Sequence, residues 1–218
     1  LSRNIEKRFD PAQLVEGAKA VIICALNYRN EITNGYPTDA SCKIASYACT
    51  TDYHFTIKAM LRQMYERLRA SNPTLTGRAF AFEVDSYDSP YEGDGCGECR
   101  RCVEACPNRA IGDDNGIDSR RCISRLTIES EAVAPEGCGL HGWIFGCEEC
   151  QNVCPYNHSK PVAALPEIAP TFDPRQISAV DWQTMSDEEF KARFGRTPMA
   201  RSGLDRIAEA SRNSRFKT

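Results

Sequence analysis

Hydrophobic and polar positions alternate with different periods along this chain, and each period predicts an element. Residues 18–26 form a short apolar run rich in β-branched side chains, the pattern of a buried strand, and they carry Cys24 as a small core residue. Residues 30–39 read as loop, with Asn34-Gly35 and Pro37 as turn signals. Over 52–70 the apolar positions Tyr53, Ile57, Met60, Leu61, Met64 and Leu68 recur at helical spacing, and Thr51 is placed to cap the first turn. Residues 78–85 alternate instead, with Phe80, Phe82 and Val84 on one face, which predicts a strand ending at Asp85. An acidic, turn-rich stretch over 87–97 follows. Short helical turns are expected over 99–106 and 147–154, with another helix from 118 led by Asp118. Prolines 155, 161, 166, 170 and 174 then give way to polar helical segments. The class is α+β.

The cysteines change the picture most. Eight of the twelve fall into Cys96-x-x-Cys99-x-x-Cys102-x-x-x-Cys106-Pro107, an isolated Cys122, and Cys147-x-x-Cys150-x-x-x-Cys154-Pro155. The first run has bacterial ferredoxin spacing, in which three thiolates hold one [4Fe–4S] cluster and the fourth reaches another. Proline then ends each turn, because it cannot continue the hydrogen-bond ladder. Two clusters are expected. Cys96, Cys99 and Cys102 would share one with Cys154, and Cys106 would join Cys147, Cys150 and Cys122 on the other. Cys138 is the rival of Cys122, but Gly137 and Gly139 flank it in what reads as a mobile loop, whereas Cys122 opens a helical segment with an apolar face. A disulfide framework suits a short secreted domain, and no secretory signal is visible. Zinc prefers paired C-x2-C units separated by a spacer. This is the chemistry of single-electron transfer.

At 218 residues and 41% hydrophobic content, the chain holds far more than a ferredoxin module. Free cysteines with iron–sulfur ligands fit a reducing cytoplasm, and no hydrophobic span is visible, so no membrane partner is expected. A monomer is expected. A net charge of −3 argues against a generally cationic nucleic-acid binder. Residues 191–218, however, hold eight Lys/Arg against Asp205 and Glu209, a tail that could contact phosphates or simply be solvated.

Longer stretches carry a resemblance. They are Asn4-Ile-Glu-Lys-Arg-Phe-Asp-Pro with Gly17-Ala-Lys-Ala-Val-Ile, then Lys43-Ile-Ala-Ser-Tyr-Ala-Cys-Thr-Thr-Asp-Tyr-His54, then Val84-Asp85-Ser86. Arg121-Cys-Ile-Ser-Arg-Leu-Thr-Ile-Glu129 and Ile144-Phe-Gly-Cys-Glu-Glu-Cys-Gln-Asn-Val-Cys-Pro-Tyr-Asn157 are the most specific. Together they resemble the tRNA epoxyqueuosine reductase family, cobalamin-dependent iron–sulfur enzymes related to reductive dehalogenases. The resemblance covers most of residues 1–157. The family has several dozen residues before the point matching Leu1 and a longer segment between Asp85 and Cys96, so the N-terminal region is expected to be incomplete.

The resemblance implies an α/β, nitroreductase-like cobalamin region over 1–91, a ferredoxin-like module with two [4Fe–4S] clusters over 92–160, and a Pro-rich linker with a basic helical tail over 161–218. It implies reduction of the epoxide of epoxyqueuosine in tRNA to queuosine. Electrons would pass from an external low-potential donor through the clusters to cobalamin. Asp85 would be the proton donor. Cys49, Asp52, His54 and Ser124 would lie near the corrin, although packing or capping accounts for each equally well. A ferredoxin-type carrier, or a dehalogenase-like enzyme acting on a small molecule, is the alternative.

Overall fold

The computed structural model describes residues 10–13, 15–22, 24, 26–30, 32, 36–37, 39–78, 95–113, 116–129, 134–158, 162 and 165–213. The chain divides into two units, Leu1–Leu26 with His54–Glu98, and Asn27–Tyr53 with Cys99–Thr218.

The first unit is built on helix α1 (Tyr53–Ser71). It starts and ends within one residue of the expected span, so Asp52 rather than Thr51 precedes its first turn. The apolar stripe is only half-covered: Ile57, Met60, Leu61 and Met64 are half-buried and Leu68 is exposed. The strand expected over 18–26 does not form among its described residues. A strand must satisfy its amides in a ladder, and no described segment pairs with this run. Val21 and Ile22 are exposed. Cys24 is therefore not a core residue; it is exposed and its Sγ lies 3.9 Å from the sulfur of Met64. The strand expected over 78–85, and Asp85 with it, lies outside the described residues apart from Arg78.

The second unit is organised by two very short strands, β1 (Lys43–Ile44) and β2 (Trp143–Phe145). They pair in parallel, Lys43 opposite Trp143 and Ile44 opposite Phe145, with an irregularity between the two pairs. All five strand residues are buried, as expected of parallel strands covered on both faces. Around them run α2 (Arg101–Ala105), α3 (Ile123–Ile128), α4 (Glu149–Asn152), α5 (Pro155–His158), α6 (Ala179–Thr184), α7 (Asp187–Phe194) and α8 (Gly203–Asn213).

The polar helical segments at the end of the chain turn out to build the core. Trp182 of α6, Phe190 and Phe194 of α7, Met199 of the short turn Pro198–Arg201 and Ile207 of α8 are buried against Ile44, Ile144 and Phe145. Phe194 sits at the centre, with ring centroids 4.9 Å from Phe172, 5.1 Å from Trp182 and 5.5 Å from Phe190. Local chemistry fixes the helix starts. Ser178 and Asp181 exchange side-chain and backbone hydrogen bonds in a capping box ahead of α6, and Ser186 accepts from the Glu189 amide ahead of α7. The boundary expected at 160/161 is thus not a division of the structure. Residues beyond it belong to the same unit as 27–53, because sparse but large apolar side chains on α6–α8 have only this core to bury them.

The basic residues of that tail are also partly engaged. The Arg206 guanidinium donates to the carbonyls of Leu126 (2.8 Å), Thr127 (3.2 Å) and Glu129, closing the C-terminal end of α3. Arg193 pairs with Glu189 one turn earlier. Arg215 and Lys217 lie outside the described residues. Among the described residues no helix is long and apolar enough to cross a membrane.

The entry to β2 needs a glycine. Gly142 has φ +84°, and a Cβ there would run into the Ala40 carbonyl oxygen. Gly137 has a similar φ of +77° but open space around it. Gly137→Ala should therefore cost only the left-handed backbone penalty, about 1 kcal/mol. Gly142→Ala adds a backbone clash and should cost about 3 kcal/mol or more. Thermal unfolding of the two variants, compared side by side under anaerobic conditions, checks the difference; equal Tm values would remove the steric argument.

Candidate metal centre

Two four- to five-residue helices carry the cysteine runs. α2 holds Cys102 and ends at Cys106, just before Pro107; α4 holds Cys150 and gives way through Cys154 to Pro155, the first residue of α5. α2 and α4 pack against each other. Cys122 sits at the N-cap position of α3, and the expected capping role of Asp118 goes instead to the preceding turn, where it binds the amide and guanidinium of Arg120.

Electrostatics shows which thiols are neighbours. Burial raises the Cys150 thiol first, and nearby Cys122, Cys106 and Cys102 raise it further. Burial pushes Cys147 up to about 12, opposed by the Glu149 amide and reinforced by Glu149, Cys150 and Cys122. Cys102, Cys106, Cys122, Cys147 and Cys150 therefore share one neighbourhood. Cys154 is half-buried, and Cys96 and Cys99 are exposed.

The gathered side-chain donors are thiols with backbone amides beside them, the donor set that an iron–sulfur cluster takes. The Ala110 amide points at Cys106 Sγ from 3.2 Å, and the Glu149 amide serves Cys147. Such N–H···S bonds stabilise thiolate sulfur and tune the potential of an iron–sulfur cluster.

Asn108, two residues after Cys106, ties the two parts of this neighbourhood together. It is 2% exposed. Its Nδ2 donates to the carbonyls of Arg121 (2.9 Å) and Gly139 (3.0 Å), and its Oδ1 accepts from the Gly139 amide at 3.0 Å. With Nδ2 spent on carbonyls, Oδ1 is an acceptor, so His141 Nε2, 3.0 Å away, carries the proton. Arg121 Nε donates back to the Asn108 carbonyl at 2.8 Å. Cys106 and Cys122 are each within two residues of this bridge. The loop around Cys138, expected to be mobile, is pinned by Asn108 on both sides of Gly139.

A second set of contacts fixes the Cys147–Cys150 turn from the other side. Lys43 is buried; its Nζ lies 2.9 Å from Glu149 Oε1 and 4.8 Å from the centre of the Trp143 ring, while Trp143 Nε1 donates to the same oxygen at 3.0 Å. Ser46 Oγ donates to Glu148 at 2.5 Å, and burial holds the Glu148 carboxyl above the usual range. Tyr28 donates to Gln151 Oε1 at 2.9 Å. Sequence reading missed Asn108, Lys43, Ser46 and Glu148. The available signal was an acidic pair inside an otherwise apolar run, Trp143-Ile-Phe-Gly-Cys-Glu-Glu-Cys150.

Other expected site residues land differently. Cys49 is fully buried in the core and its Sγ approaches the Ala45 carbonyl at 3.7 Å; burial pushes its thiol far up. It packs among the core side chains. Asp52 is half-buried and its amide donates to the Arg196 carbonyl. His54 is half-buried on the first turn of α1, and Ser124 is half-buried on the first turn of α3, two residues from Cys122.

Comparison with known proteins agrees with this geometry. A family model described as a 4Fe-4S double cluster binding domain matches residues 95–157, and one described as epoxyqueuosine reductase QueG, DUF1730 matches residues 8–86. The epoxyqueuosine reductase of Cyclobacterium marinum is 34% identical over 93% of this chain and 78% of its own length. An epoxyqueuosine reductase from Bacillus subtilis, solved with its catalytic aspartate loop swung out of the active site, superposes with a TM-score of 0.76 at 22% identity, over 97% of this chain and 68% of that one. A second solved structure, of an epoxyqueuosine reductase with an epoxyqueuosine-modified tRNA-Tyr stem loop, gives 0.68 at 21% identity, over 86% and 61%. At these identities the two structures speak for the fold.

Asn108→Asp should disrupt the bridge. It exchanges two N–H donors for a buried carboxylate facing two carbonyl oxygens, at a cost of about 3 kcal/mol or more. Iron per chain after anaerobic purification should fall along with Tm. Wild-type iron content in this variant would mean that Asn108 does not hold Cys106 and Cys122 in place.

Proposed function

The chain belongs to the epoxyqueuosine reductase family, and we propose that it removes the epoxide oxygen of epoxyqueuosine in tRNA, leaving queuosine and water. It is an oxidoreductase with a 4Fe–4S cluster-binding domain. One observation carries the reading. The identity with the Cyclobacterium marinum enzyme runs through 93% of the chain, so the cluster-binding stretch comes joined to the matched reductase region. A plain electron carrier has no use for the second part.

Opening the epoxide to an alkene consumes two electrons and two protons: two C–O bonds break and the oxygen departs as water. An external low-potential donor supplies the electrons singly. Cys96, Cys99, Cys102 and Cys154 are the proposed ligands of one [4Fe–4S] cluster, and Cys106, Cys122, Cys147 and Cys150 of the other. The nearness of Cys122 and Cys106 to Cys150, and of Cys122 to Cys147, supports the second set, with Cys102 of the first set also close to Cys150. Cobalamin, when bound, would supply the two-electron chemistry at the epoxide that no side chain can perform. The chain's own tasks are to hold the clusters, exclude water and deliver protons. Asp85 is the proposed general acid, a role that requires a carboxyl kept protonated near neutral pH by a low-dielectric setting. Cys49, Asp52, His54 and Ser124 are the proposed candidates for the cofactor's surroundings. Thiolate ligands of this kind suit a reducing cytoplasm.

Anaerobically purified protein should carry about eight irons per chain on the two-cluster assignment. Cys122→Ser should lose one cluster, and Cys138→Ser should lose none; iron analysis with low-temperature EPR of the reduced protein separates them. The opposite result would transfer the ligand role to Cys138.

Asp85→Asn keeps the shape of the side chain and removes its transferable proton. Turnover of an epoxyqueuosine stem-loop should fall on the order of 10²-fold or more, while iron and cobalamin content stay at wild-type levels. Loss of cofactor together with activity would make Asp85 structural. A protein that binds clusters but no cobalamin under reducing conditions would be an electron carrier.

A further inference from the structure

In the unit formed by Leu1–Leu26 and His54–Glu98, a cleft of about 700 Å³ opens between α1 and the segment that follows it. Lys58, Arg62, Arg69 and Arg78 line it, with Tyr65 and Glu66. Lys58, Arg62 and Arg69 lie four and seven residues apart, so they share one helix face. After α1 the chain turns through Asn72, whose carbonyl accepts from the Leu75 amide and whose side chain accepts from Thr74 Oγ1. It then passes Tyr65 so closely that a Cβ on Gly77 would lie 3.6 Å from the ring. That return places Arg78 on the cleft. All four cations are exposed, and among the described residues none of their side chains has an ion-pair or hydrogen-bond partner. Among the described residues these four cations surround a single carboxylate, that of Glu66, on a chain whose net charge is −3.

Resting on the tRNA-substrate reading, we propose that this cleft binds the phosphodiester backbone of the RNA. The layout selects the occupant. A small anion would need its donors convergent, but from Lys58 to Arg69 the cations spread along about 16 Å of helix. An extended polyanion meets such a row in sequence, each contact releasing condensed counterions. Tyr65 is half-buried between the cations, and a tyrosine ring in that position offers an unpaired base a stacking surface that is indifferent to sequence. This assignment adds the α1 face as an RNA surface to the basic end of the chain, where Arg206 and Arg193 already have partners.

The test measures binding of an anticodon stem-loop RNA to the full chain with its clusters, across a range of salt concentrations. Each lost phosphate contact lowers the log–log salt slope by roughly 0.7–0.9. The triple variant Lys58→Gln, Arg62→Gln, Arg69→Gln should therefore flatten the slope by about 2 to 3 and weaken binding at least tenfold at low salt. Arg78→Gln, off the helix, should flatten it by about one. Tyr65→Leu should weaken binding with the slope intact. Iron content and Tm should match wild type in all of them. An unchanged slope in the triple variant overturns the proposal while wild-type binding leaves the substrate reading standing. Unchanged RNA binding with slower electron uptake from an acidic donor protein also overturns it, and gives the cleft to the donor. If wild type binds no stem-loop at any salt, both readings fall together.

Discussion

The parallel ladder between Lys43–Ile44 and Trp143–Phe145 is only two pairs long, yet the metal centre hangs from it. It joins segments a hundred residues apart in the chain, and both strands lead straight into functional stretches. β1 continues to Ser46 and Cys49; β2 continues through Gly146 to Cys147. Two pairs of hydrogen-bonded residues could not survive alone in water. They persist because the ladder is enclosed by Trp182, Phe190, Phe194 and Ile207, and because its ends are clasped by side chains, Lys43 to Glu149 and Ser46 to Glu148. The glycine at 146 belongs to the same constraint, since a Cβ there would stand 2.6 Å from that of Ala45.

The charges around the centre are few and closely matched. Lys43 is enclosed but shares its charge between a carboxylate and an indole face. Glu148 is enclosed beside Ser46, and its burial favours the neutral carboxyl. Around a cluster that changes charge by one unit per electron, such fixed groups in a low dielectric act more strongly than surface charges do. Backbone amides aimed at Cys106 and Cys147 add a contribution that does not depend on pH. Neutral dipoles and the Lys43–Glu149 ion pair thereby shape the environment of the second cysteine group.

Much of this was legible in the sequence, and for identifiable reasons. The cysteine spacing predicted the helical turns of α2 and α4, because proline after the last cysteine of each run leaves little choice. The helical stripe over 52–70 predicted α1 to within a residue. The strand over 18–26 failed because an apolar run says nothing about whether a ladder partner exists. The tail was misread as an appendage because its core residues, Trp182, Phe190, Phe194 and Ile207, are widely spaced among polar ones and become an apolar surface only when α6, α7 and α8 are folded together. Asn108 could not be found by pattern: its value lies in bridging Arg121 and Gly139, which are distant in sequence. Asp85 was reached through family resemblance alone.

The engagement of Arg206 with the last carbonyls of α3 has a consequence for the order of events during synthesis. Cys122 opens α3, yet the far end of that helix is closed by a side chain more than eighty residues downstream, and Ile207 beside it completes the core under β2. While the ribosome is still translating the intervening stretch, the cysteines of both runs have emerged without the shell that encloses them. Iron–sulfur insertion on a nascent chain would meet half-formed ligand geometry, so the fold favours cluster delivery after the α8 segment has cleared the exit tunnel. Until then the thiols depend on the reducing capacity of their surroundings, or on a carrier, for protection.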